Sequence, residues 1–267
     1  MSRPVRSFND IEYRAVEDAS LFLDIHRPAS GSDVPCVAYF HGGGWARGSR
    51  KDNVEDRLER VAAQGIAVAS VSYRFTDVAT YPAQLEDGGA ALVWLRANGA
   101  DYGLRTERLG TWGASAGGWI ALMLALTGPD AERADAACAW FPPTDLTMVG
   151  IEREAAALPL PPFLLGREAP DSEAALLGLS SVGDNLALAL RASPLRHAAD
   201  ARGPILLIHG DADGMINVAQ SLALHGALLE AGRDSQLLVL PGANHEDPAF
   251  HKPAVLAATA GFFSAEL

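Results

Sequence analysis

Ser115 stands at the centre of Gly113-Ala114-Ser115-Ala116-Gly117, the one place in the chain where spacing suggests a serine poised for covalent chemistry. A Gly-x-Ser-x-Gly match alone is a weak signal. Its context makes it specific: Glu107–Trp112 can enter a sheet, and Trp119–Leu126 reads as a buried helix. A serine at such a strand-to-helix turn is held in a strained backbone. Its neighbours two residues away must be small, because strand and helix converge there. The turn lifts the hydroxyl above the sheet and leaves the Ala116 amide free at a helix N-terminus.

A serine hydroxyl is a weak nucleophile at neutral pH and needs a base, which in turn needs a carboxylate to orient it. Among seven histidines, His26 falls in an N-terminal hairpin, His225 in a helix pattern, and His209 at the end of an apolar strand, and these read as structural. His245 lies in Pro241-Gly242-Ala243-Asn244-His245-Glu246-Asp247, a turn-rich loop leaving the last strand, and is the candidate base. His251, within the following helix, is the reserve. The acid comes from His209-Gly210-Asp211-Ala212-Asp213-Gly214, where Asp213 reaches outward and Asp211 caps local turn amides. His41-Gly42-Gly43-Gly44-Trp45 follows a strand, and its glycines can aim backbone amides at a substrate oxygen. With no Gly-Lys-Ser/Thr after it, an oxyanion hole fits better than a phosphate cradle, with donors Gly43, Gly44 and Ala116. His41 and Gly42 then shape the loop. Trp45, Phe141 and Asp145 are expected at the substrate pocket, although Asp145 also suits a turn cap.

These groups need elements to carry them. Residues 8–27 alternate apolar and polar, as an antiparallel edge hairpin would. Strands are expected at Pro35–Phe40, Ile66–Tyr73, Leu109–Trp112, Ala136–Phe141, Ile205–His209 and Gln236–Leu240. Helices are expected at Val54–Gln64, Pro82–Asn98, Ala219–Ala231 and Ala249–Phe263. That alternation predicts an α/β fold with a mostly parallel, doubly wound sheet, whose ligands bind beyond the carboxyl ends of the strands. The whole of 1–267 reads as one domain. Residues 142–195 break the pattern: they hold seven of the chain's 16 prolines and several apolar residues without a stable period, as a cap or lid over the site would.

At 267 residues and 49% hydrophobic the chain can bury a large core. With 21 Lys and Arg against 33 Asp and Glu, the net charge is −12, which disfavours nucleic acid and anionic membrane surfaces. Cys36 and Cys138 sit in apolar runs and read as buried thiols, and nothing resembles a metal knuckle. No signal-peptide core appears in residues 1–10, and no apolar stretch approaches spanning length, so a cytoplasmic protein without membrane insertion is expected. A Leu/Ala-rich face on the last helix suits either a homodimer contact or packing on the sheet.

Taken together, these stretches resemble the α/β-hydrolase superfamily. They are most similar to hormone-sensitive-lipase-like esterases and to the small bacterial carboxylesterases that include acetyl xylan and feruloyl esterases. The resemblance runs from about Pro35 to the C-terminus. It rests on His41–Trp45, Ser72-Tyr73-Arg74-Phe75, Tyr81-Pro82-Ala83-Gln84-Leu85-Glu86-Asp87, Gly113–Gly117, Pro143-Thr144-Asp145-Leu146, His209–Asp213 and Gly242–His245. It implies a Ser115, Asp213, His245 triad in the superfamily's chain order. It also implies Gly43, Gly44 and Ala116 as oxyanion donors, a small-molecule ester substrate, and no metal or cofactor. The chain lacks the long N-terminal cap of many lipase relatives, and Asn217 stands where relatives often have proline. Both departures leave the triad untouched and favour an open, short-acyl site. Two other readings stay open at this level: an amide-directed hydrolase of the arylformamidase or aminopeptidase kind, and a non-catalytic binder on the same scaffold.

Overall fold

Apolar residues alternate along the central strands, and each parity builds a different core. In β3 (Val34–Phe40), Cys36, Ala38 and Phe40 join one cluster while Val37 and Tyr39 join the other. This is seen in a computed structural model that describes residues 3–17, 19–164 and 171–267. The other strands are β1 (Val5–Val16), β2 (Ala19–Pro28), β4 (Ala67–Val71), β5 (Leu104–Ala114), β6 (Ala136–Trp140), β7 (Ile205–Gly210) and β8 (Ser235–Leu240). They form an eight-stranded sheet in the order β1-β2-β4-β3-β5-β6-β7-β8. β1 and β2 pair antiparallel as the expected hairpin, β2 pairs antiparallel with β4, and every later pair is parallel.

Helices cover both faces. On one face lie α2 (Ala83–Asn98), α3 (Ala116–Leu126) and α7 (Ala219–Glu230), which contribute Leu92, Ile120 and Leu224 to the first core. On the other lie α1 (Glu59–Ala62) and α8 (Pro253–Glu266), which contribute Val61, Leu256 and Phe263. The apolar face of α8 packs on the sheet. Phe263 fills the space above Gly110 of β5, where an added Cβ would sit 2.7 Å from its ring. Every residue of α3 is buried, and Trp119 Nε1 donates to Ala192 O at 2.7 Å, so the helix after Ser115 is clamped on all sides.

Three elements differ from expectation for local reasons. The expected helix at Val54–Gln64 opens as a wide π-turn over Val54–Leu58 that carries Arg57 into the interior, and only then becomes α1. The expected helix at Ala249–Phe263 is split: Pro248–His251 is a 3₁₀ turn, Lys252 is extended, and Pro253 restarts the helix at its first position. β5 begins five residues earlier than its apolar core suggested, because Val34 and Pro35 of β3 supply ladder partners for Leu104 and Arg105.

Residues 142–195 form no further sheet strand among the described residues. They contain α4 (Val149–Ala156), α5 (Ser172–Leu177) and α6 (Leu186–Arg191), joined by irregular turns. Residues 165–170 of this segment lie outside the described residues. No helix among the described residues is long and apolar enough to cross a membrane.

Candidate active site

β5 delivers the serine. Ser115 adopts φ 54° and ψ −120°, a region that costs an L-residue about 1–3 kcal/mol and persists only where its surroundings impose it. Two close approaches impose it here. A Cβ on Gly113 would fall 2.1 Å from Gly117 O, and a Cβ on Gly117 would fall 2.0 Å from Phe40 O. The Ser115 amide donates to Trp140 O of β6 at 2.9 Å, which fixes the turn to the neighbouring strand.

β8 and β7 deliver the partners. His245 Nε2 lies 3.0 Å from Ser115 Oγ, and His245 Nδ1 lies 2.8 Å from Asp213 Oδ2. A carboxylate can only accept, so Nδ1 carries the proton and Nε2 is left to accept from the serine. The other Asp213 oxygen accepts the amides of Met215 and Ile216, both at 2.9 Å. Asn244 ties the two loops together: its Oδ1 accepts from Gly214 N at 3.1 Å and from His245 N at 2.7 Å. Ser115, Asp213 and His245 therefore meet at one rim of the sheet, 8%, 1% and 3% exposed. Asp211 accepts from Gly242 N at 2.6 Å, as a turn brace.

Charge and burial compete at this rim. Burial opposes charging of His245, but the Asp213 charge and hydrogen bond outweigh it and hold the imidazole above its ordinary value. Burial alone would raise the Asp213 carboxyl. The His245 charge and hydrogen bonds from His209 and His245 instead hold it well below the usual carboxylate range.

The glycine loop after β3 lies against the serine. Gly42 is close enough that a Cβ there would sit 3.5 Å from Ser115 Cβ. Gly43 has φ 122° and its Cβ position is taken by Arg47 O at 2.1 Å, so no side chain fits. Among the described residues, no acceptor is paired with the amides of Gly43, Gly44 or Ala116. His41 braces this loop: its Nδ1 lies 2.8 Å from Gly42 O, its ring stacks on Tyr73, and Tyr73 Oη donates to His41 O at 2.9 Å.

Two cavities open at Ser115. The larger, about 400 Å³, is bordered by the glycine loop, Tyr39, Asp52, Asn53, His245 and Glu246. Trp45 lies at the second, much smaller cavity, with its indole edge-on to Trp119 at 5.4 Å. Phe141 and Asp145, expected at the pocket, border neither. Phe141 packs edge-on to the His245 ring at 4.6 Å and so backs that ring. Asp145 caps a turn, accepting from Thr147 N at 3.0 Å and Thr147 Oγ1 at 2.6 Å. His251 is no base for Ser115: its Nε2 accepts from Arg57 at 2.9 Å. Among the described residues, no three His, Cys, Asp or Glu side chains are grouped as metal ligands.

Sequence comparison shows the family of the chain. The family described as BD-FAE matches residues 23–228. The chain belongs to the BD-FAE family. Esterase LipQ of Mycobacterium tuberculosis is 30% identical over 237 residues, covering 84% of this chain and 53% of LipQ. Carboxylesterase NlhH of the same species is 35% identical over 145 residues, covering 54% of this chain and 42% of NlhH. The chain thus spans about half the length of these curated relatives. A truncated carbohydrate esterase from gut microbiota superposes with a TM-score of 0.83 at 23% identity, covering 98% of this chain and 96% of that one. The propionate-bound esterase Est2 of Thermogutta terrifontis superposes with a TM-score of 0.74 at 21% identity, covering 99% and 94%. These likenesses show an α/β-hydrolase fold.

Sequence reasoning read His209 as structural without showing what it holds, and it missed other groups at the site of this BD-FAE chain. His209 Nε2 lies 2.9 Å from Ile216 O and 3.4 Å from Asp213 Oδ2, so it braces the acid loop. Only its place two residues before Asp211 at a strand end hinted at this. Arg57 is wholly buried. It donates to Tyr39 Oη at 2.8 Å and Glu246 Oε2 at 2.6 Å, stacks 4.9 Å over Trp140, and so pins the residue after the base. No linear spacing links these residues. Ser172 and Glu173 reach the site from α5, a segment whose sequence has no period to read.

Proposed function

We propose that this chain hydrolyses carboxylic esters through a covalent acyl-enzyme on Ser115. The observation that carries the reading is the unbroken hydrogen-bond series from Ser115 Oγ through His245 to Asp213, at 3.0 and 2.8 Å. Ser115 Oγ attacks the ester carbonyl carbon while His245 Nε2 takes its proton. The carbonyl oxygen, now an anion, is received by the amides of Gly43, Gly44 and Ala116. Donors of this kind are each worth roughly 2.7–4 kcal/mol to the reaction when they are already aimed. The tetrahedral centre collapses, the C–O bond to the alcohol breaks, and the imidazolium returns its proton to the departing oxygen. Water then repeats the sequence: His245 takes its proton, hydroxide adds to the acyl carbon, and Ser115 Oγ leaves with the proton. Asp213 holds the imidazole tautomer and stabilises its charge without becoming protonated.

Substrate class follows from the lining. Tyr39, Asp52, Asn53 and Glu246 set hydrogen-bonding groups among apolar walls that include Ala46, Phe163 and Met215, which suits an alcohol that carries both hydroxyls and an apolar part. The carbohydrate esterase that shares this fold supports the same reading. The described residues of 142–195 suit the cap reading, because Phe163 and Ser172 from this segment line the larger cavity. Replacing Ser115 by Ala should abolish turnover of p-nitrophenyl acetate with the thermal melt unchanged. Undiminished turnover by that variant would refute the reading.

A further inference from the structure

The two cavities that meet at Ser115 are unequal, and the mechanism assigns each a half of the ester. The departing alcohol oxygen must receive its proton from His245 Nε2. His245 borders the 400 Å³ cavity and does not border the smaller one. The alcohol therefore occupies the larger space and the carbonyl oxygen faces the amides of the glycine loop. The acyl chain is left to the smaller space beside Ala116. There the centre of a water-sized sphere ranges over only about 10 Å³. That is room for about one water, or one methyl group.

We propose that Glu173 forms the wall that ends this acyl cavity and restricts the enzyme to acetyl-sized acyl groups. The proposal rests on Ser115 being the nucleophile. Glu173 is 5% exposed and borders the small cavity, together with Arg153, Ile216 and Trp45. The preceding residue, Ser172, lies beside the glycine loop: a Cβ added to Gly44 would fall 2.6 Å from Ser172 Oγ. The Asp171 side chain accepts from Ala174 N at 3.0 Å and closes the first turn of α5, which fixes the direction in which Glu173 leaves the helix.

A buried carboxylate is a poor neighbour for a methyl group if it is charged, since contact strips water from an anion. Burial pushes the Glu173 carboxyl up to about 7, with Asp171 acting in the same direction and the charges of Arg153 and His245 opposing it. Burial disfavours the charged form of this wall, which lowers the cost of a methyl group touching it. A longer chain meets the same wall by overlap and must displace a packed side chain to enter.

The test compares kcat/KM on p-nitrophenyl acetate, propionate and butyrate for the wild type and for Glu173→Ala, Glu173→Asp and Glu173→Gln. Active sites are counted in each protein by fluorophosphonate labelling of Ser115. One methylene of misfit discriminates about 10–200-fold, so the wild type should prefer acetate to butyrate by at least 100-fold. Glu173→Ala should raise the butyrate-to-acetate ratio at least tenfold. Glu173→Asp, shorter by one methylene, should admit propionate, and it carries the test alone if the alanine variant does not fold. Glu173→Gln keeps the bulk and should keep the wild-type order. Equal rates on acetate and butyrate in the wild type would overturn the proposal. So would an unchanged ratio in a labelled Ala or Asp variant, or a Gln variant that shifts as far as Ala. Protein that turns over no ester and takes no label would instead refute Ser115 itself.

Discussion

Replacing Asp213 by Asn keeps the shape of the acid and should nonetheless cost nearly all of the activity, for a reason that can be worked from three contacts. Asp213 Oδ1 accepts two amides, from Met215 and Ile216, both at 2.9 Å, and Oδ2 faces His245 Nδ1 at 2.8 Å. An asparagine has one acceptor and one donor end to distribute between these places. Turning its NH₂ toward the two amides would strand buried donors at about 1–3 kcal/mol each, so the carbonyl stays there by a factor of about thirty or more. The NH₂ then points at His245 Nδ1 and forces that nitrogen to accept. The ring proton moves to Nε2, where it faces Ser115 Oγ, and the base can no longer take the serine proton. Tautomer reversal of this kind lowers kcat about 10⁴-fold, which at 1.36 kcal/mol per decade is about 5.5 kcal/mol of barrier. The assay is kcat on p-nitrophenyl acetate at a pH where the wild-type rate has levelled off, with circular dichroism melting to show that the variant is folded. A folded Asp213→Asn enzyme within tenfold of the wild type would refute the reasoning, because the orientation of the imidazole would then not depend on this carboxylate.

Other outcomes follow from the charges near the base. His245 is held above its ordinary value, so kcat/KM should decline as pH falls and the imidazole protonates, beginning at a higher pH than for a free histidine. A profile flat from pH 5 to 8 with chemistry limiting would contradict this. The Glu246 charge contributes to that elevation, so Glu246→Gln should move the acid limb to lower pH, and a shift to higher pH would contradict it. Replacing Arg57 by Met leaves Glu246 without its cation and His251 without its donor. Loss of one partner from a buried pair costs about 3–5 kcal/mol, and the lower end applies because the Glu246 side chain is 27% exposed. At about 2 °C per kcal/mol for a chain of this size, the melting temperature should fall by about 6 °C, and a melt within 1 °C of the wild type would contradict the role assigned to Arg57.

The parts of this molecule that could be read from the chain are those built from local contacts. Residues 8–27 announced a hairpin because period-two alternation needs no knowledge of partners, and Leu237–Leu240 announced a strand as a short apolar run bounded by turn residues. The Gly113–Gly117 turn was legible because close approach of backbones excludes every side chain there. Boundaries failed where a charged or proline-bearing stretch took its structure from a neighbour. Arg105 joins β5 because Pro35 lies beside it, and Lys252 breaks the last helix because Pro253 follows. At the site, Ser115, Asp213 and His245 could be picked from strand ends. The functions of Phe141 and Asp145 could not, since one depends on lying behind an imidazole 104 positions away in the chain and the other on a hydroxyl two residues ahead. Arg57 and Glu173 were invisible for the same reason. Their meaning arises only where separate segments converge on His245 and on the glycine loop.

Reactivity of a single hydroxyl decides whether the rim of the sheet is a working nucleophilic centre. Incubation of the folded protein with a fluorophosphonate, followed by peptide mass mapping, should place one phosphonyl adduct on Ser115. The adduct should be absent from Ser115→Ala and form far more slowly in His245→Ala. A folded protein that remains unlabelled, or that carries the adduct on another serine, would contradict the account.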